Sequence, residues 1–372
     1  MILPLSAFRD SGLSVFNQGK FCGNSGDLTR GIIVILDYCR FEIEIKVLIK
    51  LKDININNLS LWVQQAQTQA KQASVIQRIP LLAIADPSWF AVHIYCQSGE
   101  SYSYGNTACI FPLMSVIKPF SFLYLLEYLG TEKVLDWVGL EASAMPFNSL
   151  DQLMADNGHP RNPMINSGAI TLADKLPGKD GNHRTQLFCE WLNKLAGSHL
   201  SLDLDMLASV RATRSQVNLA IAHYLHQTGH IENIEFTLDT YEQICCISGT
   251  VEDLGKLGKL LACESSFVNS QHRQIVNAVM LTCGLYEASS QYAVKIGLPM
   301  KSGISGALLA IVPNKGAMPA AYPFGEASYA KRLEESGAIA CYSPALDSIG
   351  NPVAGLAFIE ALSQNLQLSI FS

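Results

Sequence analysis

Ile110–Phe120 reads IFPLMSVIKPF and Gly297–Ile304 reads GLPMKSGI. The first segment closes a strand-rich region and opens a helical one. Upstream of it, Phe90 to Tyr95 has the character of a strand, and Gly99-Glu100 and Gly105-Asn106 supply the turns of a meander. Downstream, Ser115 to Leu129 is apolar and aromatic-rich. Residues 150–285 keep a helical pattern, broken at Asp156-Asn157-Gly158, Pro177-Gly178 and Gly229. The second segment lies within 294–313, which reads as two strands joined by glycine-containing turns, and a last helix runs from about Pro352 to Asn365. Strands at both ends of a long helical middle predict an α+β fold with a helical insertion.

Both segments carry groups suited to acyl transfer. In Ser115-Val116-Ile117-Lys118 the lysine lies three residues after the serine, on the same helical face and within reach of its hydroxyl. A serine hydroxyl is a weak nucleophile until a base takes its proton, and a lysine serves as that base only when burial keeps it neutral. The positive end of a helix would add stabilisation to an alkoxide at Ser115. Pro119 removes a backbone donor and disfavours a helical Lys118, so an irregular first turn is expected. The same spacing recurs at Ser328-Tyr329-Ala330-Lys331, but in a polar stretch suited to an exposed loop or short helix. The bland alternative for Ser115 is a capping serine beside a solvated lysine. Lys301-Ser302-Gly303 follows a strand-like run, where an edge strand can aim a backbone N–H at the reacting oxygen beside the N–H of the nucleophile. Taken alone, it would be a β-turn with an exposed lysine.

Composition narrows the remaining classes. At 372 residues, 49% of them apolar, the chain can bury a full core, and its formal net charge of −6 offers no basic field to nucleic acid or anionic lipid. The N-terminus has no pattern of an export signal, and its longest apolar run, Ile32 to Leu36, is too short to span a bilayer. The ten cysteines form no CxxC pair, which argues against a structural zinc or a dithiol motif, and with no export signal pattern reduced thiols in the cytoplasm are expected. His223, His226 and His230 have metal-like spacing, but Gly229 interrupts the helix and no acidic partner accompanies them. Neither metal nor organic cofactor is expected. Residues 1–57 read as an extension of unknown role, or as upstream sequence included by a wrong start codon. Within it Phe41 to Lys52 alternates like an edge strand, and beyond it Leu59 to Gln77 has the look of a starting helix.

Several stretches together resemble the bacterial glutaminase family. They are Ile110–Phe120, Phe147-Asn148-Ser149, PRNPMINSGAI at 160–170, NLAIA at 218–222, YEQICCIS at 241–248, CGLY at 283–286, Gly297–Ile304 and SPALDSIGNPVAG at 343–355. The resemblance covers about residues 60–372. It implies a β-lactamase/transpeptidase-like fold over 58–372, an antiparallel sheet flanked by helices with a helical subdomain at about 115–285. It also implies hydrolysis of L-glutamine to L-glutamate and ammonia through an acyl-enzyme, by a homodimer or homotetramer. Carried over by position, Ser115 is the nucleophile and Lys118 its base. Tyr241 and Tyr286 are site tyrosines whose phenols relay a proton, Asn166 and Asn218 bind substrate, and Ile304 stands where valine is usual and offers its backbone N–H. The alternatives are a helix-capping Asn166 and core tyrosines with satisfied hydroxyls.

Three departures from the family pattern bear on substrate. Arg211 stands seven residues before Asn218, where the family carries a glutamate for the substrate's α-ammonium. Arg78 precedes Ile79-Pro80, where the family places a tyrosine. Residues of about 318–338 read as an insertion between two strands. A cation in place of an anion reverses the contact to an ammonium. Either Arg211 points away and another acid such as Asp203 or Asp205 substitutes, or the preferred amide lacks a free α-amine. A related amidase of altered substrate, a non-catalytic family member and a β-lactam-recognising serine enzyme are therefore the competing readings.

Overall fold

The computed structural model describes residues 33–36, 43–46, 56–143, 145–313 and 336–371. The chain divides into two compact units, Met1–Leu48 and Ile49–Ser372. In the first, β1 (Ile33–Leu36) pairs antiparallel with β2 (Ile43–Lys46), the latter inside the alternating stretch at 41–52. The remainder of the N-terminal extension, and nearly all of the insertion expected at 318–338 with Ser328 and Lys331, lie outside the described residues.

The second unit opens with α1 (Ile56–Gln69), α2 (Pro80–Ala83), β3 (Ala91–Cys96), β4 (Ser101–Gly105) and β5 (Phe111–Pro112). Helical structure then dominates, through α3 (Lys118–Leu129), α4 (Thr131–Leu135), α5 (Leu150–Ala155), α6 (Asn166–Lys175) and α7 (Gly181–Ala196). After β6 (Ser201–Leu202) come α8 (Leu204–Ala212), α9 (Gln216–Gln227), α10 (Ile234–Cys245), β7 (Ile247–Gly249), α11 (Val251–Ala262), α12 (Ser270–Cys283) and α13 (Ser289–Lys295). The chain returns through β8 (Met300–Ser302), β9 (Ala307–Val312) and β10 (Gly337–Tyr342) to α14 (Val353–Leu366).

Strands from the two ends of this unit form one antiparallel sheet in the order β4-β3-β10-β9-β8. This is the expected α+β architecture, with the helical middle inserted between the N-terminal and C-terminal strands. Period-two alternation gives the sheet two apolar faces. Val92, Ile94, Leu308, Ala310, Ile339 and Cys341 face a core shared with α1 and α14. Ala91, Leu309, Ile311, Ala338 and Ala340 face the larger core built on α3, α6 and α11. A small second sheet, β5-β7-β6, ties the segment before Ser115 to the end of α10.

The helix boundaries follow from local chemistry. Ser149, Asp180, Asp203, Ser215 and Asn233 each accept a hydrogen bond from a backbone N–H of the first turn, the N-cap function expected of short polar side chains. Thr250 and Asp253 form a reciprocal capping box on α11. The breaks expected near 156–158 and at Gly229 fall just past α5 and α9, with Gly158 and Gly229 in positive φ. Among the described residues no helix is long and apolar enough to cross a membrane, and no cluster of three or more His, Cys, Asp or Glu could hold a metal. Cys109, Cys189, Cys245, Cys246, Cys263, Cys283 and Cys341 are free thiols.

Candidate active site

Ser115 sits in a 3-10 turn, Met114–Ile117, and Lys118 is the first residue of α3. Pro119 falls in the first turn of that helix, where a missing N–H costs nothing. The irregular start expected from Pro119 is therefore a 3-10 turn feeding an α-helix. Met114, immediately before Ser115, has φ of 47°, and Tyr286 has φ of 58°. Positive φ costs a non-glycine residue about 1 kcal/mol or more, and strain of that kind collects at functional sites.

Lys118 is 1% exposed, so the solvated-lysine alternative does not hold. Its amine donates to Met164 O at 3.1 Å and to Asn166 Oδ1 at 2.8 Å. Burial lowers the amine's pKa to about 8, with the Cys245 thiol in electrostatic reach opposing the drop. No carboxylate figures among the groups that perturb it. The Asn166 amide is spent on side chains rather than on a helix cap: its Oδ1 also accepts from the Tyr241 hydroxyl at 3.3 Å, and its Nδ2 donates to Asn218 Oδ1 at 2.8 Å. One amide thus joins Lys118, Tyr241 and Asn218.

Asn162, absent from the sequence-derived set, shapes the turn that offers Met164 O. Its Oδ1 accepts from the N–H groups of Met164 at 3.0 Å and Ile165 at 3.2 Å, and its Nδ2 donates to Glu141 O at 2.7 Å. An Asn-Pro pair is a turn signal legible in PRNPMINSG, but its contact with Lys118 is not.

A second group of contacts surrounds Ser115 itself. Burial pushes the pKa of the Tyr286 phenol up to about 12, with the Ser115 hydroxyl acting in the opposite direction. Tyr286 also donates to Ser302 O at 3.4 Å, and its ring packs on Phe147 with centroids 4.4 Å apart. Lys301 is fully buried, against the exposed lysine of a simple turn. It donates to Gly284 O at 2.9 Å and Ser302 O at 2.8 Å and lies 4.2 Å from the Tyr286 ring centroid. Burial holds Lys301 well below the usual lysine range, and the Lys118 charge acts in the same direction. Burial likewise raises the Tyr241 phenol and holds the nearby Cys245 thiol at about 11. Both phenols remain protonated near neutrality.

The turn after β8 packs directly on the segment around Ser115. A Cβ at Gly303 would stand 2.7 Å from Leu113 O, so only glycine lets the two backbones approach this closely. Gly303 N donates to Ala307 O at 2.8 Å and Gly306 N to Gly303 O at 2.9 Å, closing a tight turn with half-buried Ile304 inside it.

The two arginines of the departures take different positions. Arg211 is ion-paired with Asp239 and lies 3.9 Å from Glu242, both on α10. Arg214 binds the same Glu242 through two nitrogens, at 2.8 and 2.9 Å, and Glu235 at 3.0 Å. Asp203 is occupied as the cap of α8, accepting from Met206 N at 2.8 Å, and Asp205 is exposed in that helix's first turn. Neither acid is hydrogen-bonded to Asn166, Asn218 or Tyr241. Arg78 is exposed, yet its charge is felt by the buried Tyr241 phenol.

A sequence model of the family described as Glutaminase matches residues 74–371. A glutaminase of Synechocystis is 42% identical over 303 residues, covering 82% of this chain and 87% of that protein. One from Oceanobacillus iheyensis is 33% identical over 319 residues, covering 83% and 93%. Among solved structures, a probable glutaminase of Bacillus subtilis superposes with a TM-score of 0.74 at 29% identity, covering 85% of this chain and 97% of that one. A probable glutaminase of the same organism, solved in complex with 6-diazo-5-oxo-L-norleucine, gives 0.72 at 29% identity, covering 85% and 96%.

Proposed function

This chain belongs to the glutaminase family, and on that premise we propose that it hydrolyses L-glutamine to L-glutamate and ammonia through an acyl-enzyme on Ser115. The observation that carries the reading is a lysine one helical turn from a buried serine, desolvated to a pKa of about 8 and tied by Asn166 to Tyr241 and Asn218.

In the proposed sequence, neutral Lys118 takes the Ser115 proton as Oγ attacks the amide carbon. The developing oxyanion is received by the N–H groups of Ser115 and Ile304. The phenols of Tyr241 and Tyr286 relay that proton from Lys118 to the nitrogen as the C–N bond breaks, so ammonia leaves and Lys118 is neutral again. Water then cleaves the Ser115 ester, releasing glutamate and returning the proton to Oγ. Asn166 and Asn218 supply neutral amides that hold the amino-acid end by directed hydrogen bonds. The known complex with 6-diazo-5-oxo-L-norleucine supports this substrate class, because that compound retains the α-amino acid end of glutamine. Ser115→Ala should remove glutaminase activity by about a thousandfold or more while leaving thermal stability nearly unchanged, whereas Ser328→Ala should leave activity intact. Full activity in Ser115→Ala would sink the acyl-enzyme.

A second reading has its own support. The carboxylates of Asp239 and Glu242 are already matched by Arg211 and Arg214, and the Arg78 charge reaches Tyr241. An amide without a free α-ammonium suits that charge pattern better than glutamine does. The family resemblance further supports a homodimer or homotetramer working in the cytoplasm, which light scattering and cell fractionation test.

A further inference from the structure

Asn351 is fully buried at the end of a loop that its own backbone closes. Its N–H donates to Asp347 Oδ1 and its carbonyl accepts from Asp347 N, each at 2.9 Å. The Asp347 carboxylate oxygen also accepts from Ile349 N at 2.9 Å and Gly350 N at 2.8 Å, fixing the 347–351 loop as a unit. From this rigid mount, Asn351 Oδ1 accepts the hydroxyl of Ser302 at 2.6 Å, and both side chains are wholly excluded from water. The other end of the amide, Nδ2, is buried without a hydrogen-bond partner. An apolar side chain of similar size would avoid that penalty, so the retained amide is explained by what its oxygen holds.

What it holds is the strand end beside the nucleophile. Ser302 O accepts from Lys301 at 2.8 Å and from Tyr286 at 3.4 Å, and the next residue, Gly303, packs on Leu113, Met114 and Val116 around Ser115. The residue after next is Ile304, enclosed in the turn closed by Gly303 and Ala307. We propose that Asn351 is a positioning residue for the Ser115 reaction, fixing Ser302 and through it the Gly303–Ile304 turn and the Tyr286 phenol. The inference rests on the proposed glutaminase reading but adds a residue remote from the substrate. It acts on transition-state geometry rather than on substrate affinity, because a hydrogen bond to the side chain of Ser302 aims backbone donors without touching the amino-acid end.

The test is steady-state glutamine kinetics with melting temperatures for wild type, Asn351→Ala, Ser302→Ala and the double variant. The expected result is a fall in kcat of at least tenfold with KM within threefold in each single variant, and a double variant no worse than the worse single. A kcat within twofold of wild type in either folded single variant overturns the proposal. So does a loss confined to KM, or single losses that multiply in the double variant. If Asn351→Ala fails to fold, Ser302→Ala decides, since it breaks the same bond from the strand side by removing one atom. Wild-type protein inactive on glutamine overturns the functional reading and this role together. An active wild type with unaffected variants overturns this role alone.

Discussion

The Lys118 amine reaches Asn166 Oδ1 across 2.8 Å, from the first residue of α3 to the first residue of α6. That contact holds a buried amine with a neutral oxygen and no countercharge, so desolvation prevails and the pKa sits at about 8. A base must be unprotonated to accept the Ser115 proton. At pH 7 about one amine in ten is neutral, and the fraction rises with pH. kcat/KM for glutamine should therefore climb between pH 6 and about pH 9 and level above that. A profile flat across this range would remove Lys118 as the base.

Replacing the amide by a carboxylate reverses the balance. Asn166→Asp would put an anion where Oδ1 now accepts from Lys118, and an opposite charge at hydrogen-bond distance favours the ammonium. The acid limb of the pH profile should move up by about one pH unit or more, with most activity at pH 7 lost and some recovered at pH 9. Asn166→Ala should instead weaken glutamine binding without moving the limb upward. Identical pH profiles for wild type and Asn166→Asp would show that residue 166 does not govern the charge state of Lys118.

How much of this was legible in the sequence depended on the range of the interaction. The strand-like runs around β3 and β9, and the turn glycines of the meander, are local signals, and the antiparallel sheet follows them. Lys118 was legible as a candidate base because three-residue spacing is local too. Its burial was not: its hydrogen-bond partners Met164 and Asn166 lie 46 and 48 positions away, at the start of α6. The resemblance named Asn166, Asn218, Tyr241 and Tyr286 as separate positions, whereas the structure joins Asn166 to Asn218 and Tyr241 in one hydrogen-bonded set. Asn351 stood in a recognised stretch with no chemistry attached, since Ser302 is 49 residues away. Arg211 read as a cation at a substrate contact. The structure turns it onto Asp239, a partner in α10 that local sequence cannot reveal.

Gly303 offers a steric test of the same site. A methyl group there would stand 2.7 Å from Leu113 O, below any ordinary contact, so the turn bearing Ile304 must move away from Ser115. Gly303→Ala should lower kcat by about a hundredfold, the scale expected when reacting groups are displaced by roughly 1 Å. Leu113 N donates to Ile247 O at 2.8 Å, so the nucleophile segment is anchored on its other side and the strand end has to yield. The melting temperature should change by only a few degrees. A fully active Gly303→Ala enzyme would mean that the turn takes no part in binding the oxyanion.

The two arginines separate the glutamine reading from the altered-substrate reading. Arg211 is ion-paired to Asp239 and partly exposed, so Arg211→Ala should leave kcat/KM for glutamine within about threefold, the range of a surface ion pair. Arg78 differs, because its charge is felt at the Tyr241 phenol, where a substrate ammonium would be repelled. Arg78→Tyr should therefore lower KM for glutamine several-fold and leave KM for a primary amide without an α-amine, such as glutaramate, nearly unchanged. Wild-type enzyme that prefers glutaramate to glutamine, with the preference reversed in Arg78→Tyr, would establish the altered-substrate reading. High glutamine efficiency in the wild type, with no response to Arg78→Tyr, would rule it out and leave Asn166, Asn218 and the two phenols as sufficient for the amino-acid end.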